Sequence, residues 1–206
     1  MTAVIVDIVG SRRLLDRRGA QIGVLEAFMS AEHATRPLVP LGATVGDEFQ
    51  AVYVDVESAV RVTTLAALLL ADDVEFRVGI GIGEVVQIDG DISDGSAWWR
   101  AREAIDEAHR RERAGEASVR SWCVGDGERH AFEVCAVLLL RDHILSRMKA
   151  RERRIAAQVL LGDNQVAIAV REGISQAAVS QSAHRSGAIS LREAIGALCA
   201  RPRGLR

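Results

Sequence analysis

Strand-type segments run through this chain as far as Gly125, and after Gly127 there are none. Up to that point short β-branched runs alternate with amphipathic stretches of helical period. From His130 to Arg206 every segment reads as helix. Such a chain must make its sheet from the first part alone and add the remainder as helices. The expected division is residues 1–127 for the sheet-bearing domain and residues 128–206 for a helical linker and a small all-α domain.

Within the first part, Thr2 to Val9 reads as a buried strand. Ser11 is placed to cap an amphipathic helix running to about Glu32, with a break near Gly19, and Pro37 and Pro40 close it off. A hairpin is expected next: Ala43 to Val45, a turn at Gly46-Asp47-Glu48, then Phe49 to Val54. A helix from Glu57 to Leu70, a strand from Val74 to Ile88, a charged helix from Ala97 to Glu112 and a strand from Ala117 to Gly125 complete the series. The order β-α-β-β-α-β-α-β describes an α+β fold: one mixed sheet with helices on a face, in a ferredoxin-like or palm arrangement.

Hydrophobic residues make up 49% and charged residues 26% of the chain, which fits a soluble protein with a packed core. No run of about 18 apolar residues exists, so no membrane partner is expected. The first residues lack the basic, apolar and small-residue succession of a signal peptide, and the expected compartment is the cytoplasm. The three cysteines, Cys123, Cys135 and Cys199, have no metal-ligand spacing and read as buried thiols of a reducing compartment. The net charge of −2 conceals an asymmetry. From Arg141 onward twelve Lys and Arg stand against five Asp and Glu, while the remainder has fourteen against twenty-three. A basic tail on an acidic body points toward nucleic acid.

One residue conflicts with its surroundings. In AVIVDIVGSRR, Asp7 interrupts an otherwise apolar strand, and Gly10, Ser11, Arg12 and Arg13 follow directly. A carboxylate inside a sheet needs a cation or hydrogen bonds, and a metal ion would supply the cation. A chain turning into a helix presents free amides that attract phosphate, and glycine and arginines strengthen that site. A strand-end aspartate that caps the following turn explains Asp7 equally well on this segment alone. Asp47 lies at the expected hairpin tip, where Gly-Asp also suits the turn itself. If that hairpin pairs beside the first strand, Asp47 comes near Asp7, and two carboxylates with phosphate oxygens suit Mg²⁺. The glycines of RVGIGIGEV follow a G-x-G-x-G spacing inside a strand, which is not the dinucleotide loop. They permit close approach of a ligand or of a packed helix.

Four stretches, DIVGS, GDEFQAVY, RVGIGIGEVV and GSAWWRAREAI, resemble class III nucleotide cyclases and the related GGDEF palm in order and spacing. With the helical tail included, nearly the whole chain resembles the SatD family of bacterial proteins. The resemblance implies that Asp7 and Asp47 hold metal, that the backbone of Ile8, Gly10 and Ser11 with Arg12 and Arg13 forms a triphosphate loop, and that Arg102 is the catalytic arginine. Asp91 falls where the purine-reading acid lies. Ala43 replaces the cyclase purine-reading lysine, and Trp98 replaces the asparagine four residues before the arginine. The implied site thus binds a nucleotide and does little chemistry on it.

The tail carries its own pattern in LLGDNQVAIAVREGISQAAVSQSAHRSGAIS. Asp163 or Asn164 can cap a first helix ending near Val170, with Ala169 small at a crossing point. Gly173 and Ile174 make a turn, Ser175 caps a second helix, and Val179 faces inward. This is a helix-turn-helix pattern whose second helix would read DNA. Its outer positions are Ser175, Gln176, Ala177, Ser180, Gln181, His184 and Arg185. Gln and Arg suit base edges; Ser, His and Arg suit phosphates. Upstream, Val134, Val137, Leu138, Ile144 and Leu145 form an apolar face for a second subunit or for the chain's own sheet.

Together these features describe a DNA-binding regulatory protein, a homodimer on double-stranded DNA, with a cyclase-like domain that binds ATP or GTP with Mg²⁺. One alternative is an active Mg²⁺-dependent cyclase or nucleotidyltransferase. A second is a degenerate palm that serves only for dimerisation.

Overall fold

The computed structural model of the chain describes residues 1–44, 46–70, 74–89 and 92–199. In chain order its elements are β1 (Thr2–Ile8), α1 (Arg17–Glu32), β2 (Val39–Ala43), β3 (Glu48–Tyr53), α2 (Val56–Leu69), β4 (Phe76–Ile82), β5 (Val86–Asp89), β6 (Ile92–Asp94), α3 (Ser96–Arg113), β7 (Ser121–Gly125), α4 (Glu128–Arg147), α5 (Ala150–Leu161), α6 (Gln165–Glu172), α7 (Gln176–Arg185) and α8 (Ala188–Cys199). It is a mixed α+β fold. Its five-stranded sheet has the order β2-β3-β1-β4-β7, and β5 and β6 form a separate two-stranded ribbon. The apolar β1 lies at the centre, antiparallel to β3 and to β4, and β4 pairs with β7 in parallel.

Several boundaries differ from those read off the sequence. Ser11 does not cap α1. Gly10 turns left-handed (φ 63°) and residues Ser11–Arg13 make one 3₁₀ turn, after which the Asp16 carboxylate accepts from the Gly19 amide at 2.8 Å and starts α1. The hairpin forms, with its first strand beginning at Val39; Val45 lies outside the described residues. Pro40 is accommodated because β2 is the sheet edge, where a missing N–H costs no ladder bond. The expected strand from Val74 to Ile88 divides at Gly83, so that β5 leaves the sheet. Among the described residues no helix is long and apolar enough to cross a membrane.

Helices cover both faces of the sheet rather than one. Val4, Val6 and Ile8 point into a core shared with α1 and α2, while Ala3 and Ile5 lie under Ala97, Ala101 and Ile105 of α3. The glycines of β4 make the second contact close. A Cβ on Gly79 would stand 2.6 Å from the Ile105 amide nitrogen and collide with the Ala101 carbonyl; one on Gly81 would collide with the Ala97 carbonyl and the Ala101 amide. Ala97, Ala101, Ala104 and Ala108 are fully buried along the facing stripe of α3. Of the two uses that glycines in a strand permit, this one is the packed helix.

On the other face α2 is buried over most of its circumference, as its largely apolar sequence requires. It lies against α1 and the sheet on one side and against α5 and α8 on the other. One apolar core therefore runs from Val6 through Leu65 to Ile155, Ile168 and Ile195. A buried ion pair joins the parts. Arg141 donates to the Asp142 carboxylate at 2.7 Å and also to Ser121 and to Thr63 of α2, while Asp142 accepts the Arg120 amide at 2.8 Å.

Gly81→Ala is expected to destabilise the fold by about 1–3 kcal/mol, the usual cost of overpacking a filled interface. A urea midpoint unchanged from the wild type would show that α3 can yield, against the close contact described.

Candidate functional site

Strand alternation decides where Asp7 points. Ala3 and Ile5 face α3, so Asp7 faces the same way, at the end of β1 where the packed apolar stripe runs out. Its partners in register are Glu48 on β3 and Arg77 on β4. Arg77, only 7% exposed, donates to the Asp7 carboxylate at 3.1 Å and to Glu112 of α3 at 2.8 and 2.5 Å. His109 Nε2 lies 3.5 Å from the same Asp7 oxygen. The cation demanded by the acid in the strand is thus present within the chain itself.

Even so, the balance of forces disfavours the Asp7 charge. Burial pushes its pKa up most; Arg77 opposes this, the negative charge of Asp47 adds to it, and His109 opposes it. His109 is itself pushed below the ordinary histidine range, first by burial and then by Arg77, against the pull of Asp7. Perturbed acids of this kind occur both at functional sites and in structural ion-pair networks.

Asp47 is at the hairpin tip, 3.5 Å from Arg17, and the Gln21 amide donates to the neighbouring Gly46 carbonyl at 2.6 Å. Residues at the start of α1 thus hold the tip in place. Arg102, about half exposed, donates both terminal nitrogens to Glu48 at 2.7 and 2.6 Å; those hydrogen bonds first, and then the negative charges of Glu48, Asp106 and Asp7, hold its pKa up against burial. The structure therefore brings Asp7, Asp47 and Arg102 to one end of one sheet face.

The Ile8 side chain is buried on the opposite face, so only its backbone is available to this end. Ser11 is buried, while Arg12 and Arg13 are exposed and make no ion pair among the described residues. Asp91 lies outside the described residues. Among those described, no group of three or more His, Cys, Asp or Glu is arranged to hold a metal ion. Cys123 and Cys135 are buried, and burial pushes Cys135 up to about 11. Cys199 is exposed, contrary to expectation, because it ends α8 at the surface.

In the tail, the Asn164 side chain accepts from the Ala167 amide at 2.9 Å and starts α6. Gly173 closes α6 with φ 64°, which the turn requires. Ser175 accepts from the Ala178 amide at 3.2 Å and starts α7. Val179 and Ala183 are buried. Ser175, Gln176, Ala177, Gln181, His184 and Arg185 are exposed, whereas Ser180 is half-buried. Arg185 is paired with Glu152 of α5 at 3.2 Å. Val134, Leu138 and Leu145 are buried in the chain's own core, so that face of α4 is already covered; Phe132 and Leu140 are 64% and 68% exposed on its outside.

Arg77, Glu48, His109 and Glu112 were not singled out from the sequence. Arg77 carried a signal, since a cation in a strand built for burial poses the same problem as Asp7. His109 and Glu112 carried none, because in a charged helix they resemble any solvated pair. A model of the SatD family matches residues 1–193, which bears out the family resemblance. No curated protein matches the chain.

The raised pKa of Asp7 makes a signed prediction. The folded chain holds the Asp7 proton more tightly than the unfolded chain, so the stability Asp7 contributes is present in acid and lost as pH rises through its raised value. Asp7→Asn, which cannot ionise, is expected to melt above the wild type at pH 7. The gap is expected to close below the ordinary aspartate pKa of about 3.9. Calorimetric Tm values across that pH range check this; a variant that melts lower at pH 7 would mean that the Arg77 pair outweighs burial.

Proposed function

The chain belongs to the SatD family, and from that premise we propose that it is a DNA-binding regulator whose sheet-bearing part binds ATP or GTP with Mg²⁺. The observation that carries the DNA half is the segment from α6 to α7. Two capped helices meet at a left-handed glycine, Ile174 donates its amide back to the Ala169 carbonyl at 3.1 Å, and α7 turns a polar, acid-free face outward. That supports a helix-turn-helix with α7 as the reading helix. Gln176 and Gln181 suit adenine edges, and His184 and Arg185 suit phosphates. A homodimer, with the exposed Phe132 and Leu140 of α4 in its interface, would set two such helices on a palindromic site.

The series β1-α1-β2-β3-α2-β4 with strand order β2-β3-β1-β4 supports the ferredoxin-like palm. The donor set fits Mg²⁺, which takes one or two carboxylates and keeps waters and phosphate oxygens for the rest. Asp7 and Asp47 repel each other, and a shared cation relieves that repulsion. The ion would supply neutralisation of phosphate charge. Arg12 and Arg13, exposed beside Gly10, would meet the phosphates.

Binding without turnover is favoured by how the other groups are engaged. Arg102 is held by Glu48 and Asp7 by Arg77. The Trp98 indole donates to the Ser93 hydroxyl at 3.1 Å, a structural use of the position where cyclases orient ribose.

Two outcomes are expected. Asp7→Asn and Asp47→Asn each abolish Mg²⁺-dependent nucleotide binding in calorimetry while the protein stays folded; an unchanged affinity in the double variant would remove the metal site. Separately, Gln176→Ala and Gln181→Ala each reduce discrimination between a selected operator and mixed-sequence DNA by about 1–3 kcal/mol. Equal discrimination in wild type and variants would remove α7 as the reader.

A further inference from the structure

A groove of about 660 Å³ opens where the end of α4, the start of α5 and the end of α7 meet. Its rim carries His143, Arg147, Lys149, His184 and Arg185, and Glu152 is the acid that lines it. The charge of Glu152 is already engaged: its carboxylate accepts from the Lys149 amide at 3.0 Å and from Arg185 at 3.2 Å, and those contacts, with the nearby charges of Arg185 and Lys149, hold its pKa below the ordinary carboxylate range. Arg147 and Lys149 are exposed and make no ion pair among the described residues. Cations in a last helical turn complement the helix dipole, which accounts for Arg147 and Arg185 but not for Lys149, which stands at the N-terminal end of α5 where the dipole disfavours a cation.

The groove adjoins the C-terminal end of α7, at His184 and Arg185. Gln176 and Arg185 bound that helix, and nine residue steps of 1.5 Å separate them by about 13–14 Å. The DNA major groove is about 12 Å wide. With the Gln176 end at the base edges, the Arg185 end lies that far along the helix axis, its side chain on the opposite side of α7 and turned to Glu152.

We propose that the α4–α5–α7 groove is a phosphate clamp for duplex DNA, in which Arg147 and Lys149, with His143 beside them, hold the backbone flanking the bases that α7 reads. This rests on the DNA-binding reading above and extends the contact surface beyond the helix-turn-helix segment to α4 and to the residue that starts α5. Phosphate contacts position a protein without reading sequence. The clamp therefore adds affinity that is uniform across sequences and sensitive to salt.

The test is binding of the full-length protein to a mixed-sequence duplex and to a selected operator, by fluorescence anisotropy, from about 50 to 200 mM salt. Arg147→Ala/Lys149→Ala, at two exposed positions, is expected to weaken both duplexes by the same factor and to reduce the slope of log K against log salt by about 0.9 for each lost contact. Gln181→Ala is expected to alter the ratio between duplexes and leave the slope unchanged. Wild type that binds no duplex overturns the DNA reading and the clamp together. Wild type that binds with a slope the double variant retains overturns the clamp alone. Inorganic tripolyphosphate that binds wild type but not the double variant, without displacing the duplex, assigns the groove to a free anion and also overturns the clamp.

Discussion

The approach of α3 to β4 is the contact on which the rest of this molecule depends. Gly79 and Gly81 remove the side chains that would hold the helix off, and the alanine stripe of α3 removes those on the other side. With backbones this near, the longer residues of α3 flanking the alanine stripe can reach the strands. Arg102 meets Glu48, His109 comes to Asp7, and Glu112 meets Arg77. Were the helix held off by even a methyl group on each glycine, these pairs would lengthen and the buried Arg77 would lose its partners, a costly outcome for a desolvated charge.

The charges at that end form a continuous line. Asp7 pairs with Arg77, Arg77 with Glu112 at 2.5 Å, and Glu112 with Arg120 at 3.3 Å. The Arg120 amide then donates to Asp142, the partner of Arg141, which reaches Thr63 of α2. The line begins at the candidate site and ends inside the core that the sheet shares with the helical tail. Its polar atoms satisfy one another, which is what allows so many charges to lie partly or wholly out of water.

The tail is not an appendage hung on a flexible tether. Because α2 is apolar over most of its circumference, it needs cover on the face turned away from the sheet, and α5 and α8 supply that cover. Ile155, Leu191 and Ile195 belong to the same core as Val4 and Phe28. The exposed face of α7 and the basic groove at its far end are thereby carried on helices packed into that core.

What the residues alone determined was local. β-branched runs marked β1 and β3, Asn164 and Ser175 marked the starts of α6 and α7, and Gly173 marked the turn between them, because caps and left-handed turns depend on a few adjacent residues. Asp7 was legible as a residue needing a cation, and Asp47 as its neighbour, because a charge in a strand conflicts with its own surroundings. Which cation met Asp7 was not legible. Arg77 is 70 residues away, and only the β1–β4 register sets the two side by side. The start of α1 was misread for a related reason: Ser11 and Asp16 are both good caps, and the buried position of Ser11 left the role to Asp16. The second helical layer, the two-sided burial of α2 and the purpose of the β4 glycines likewise depended on tertiary packing. Periodicity shows that a face is apolar; it takes the packed chain to show what covers it.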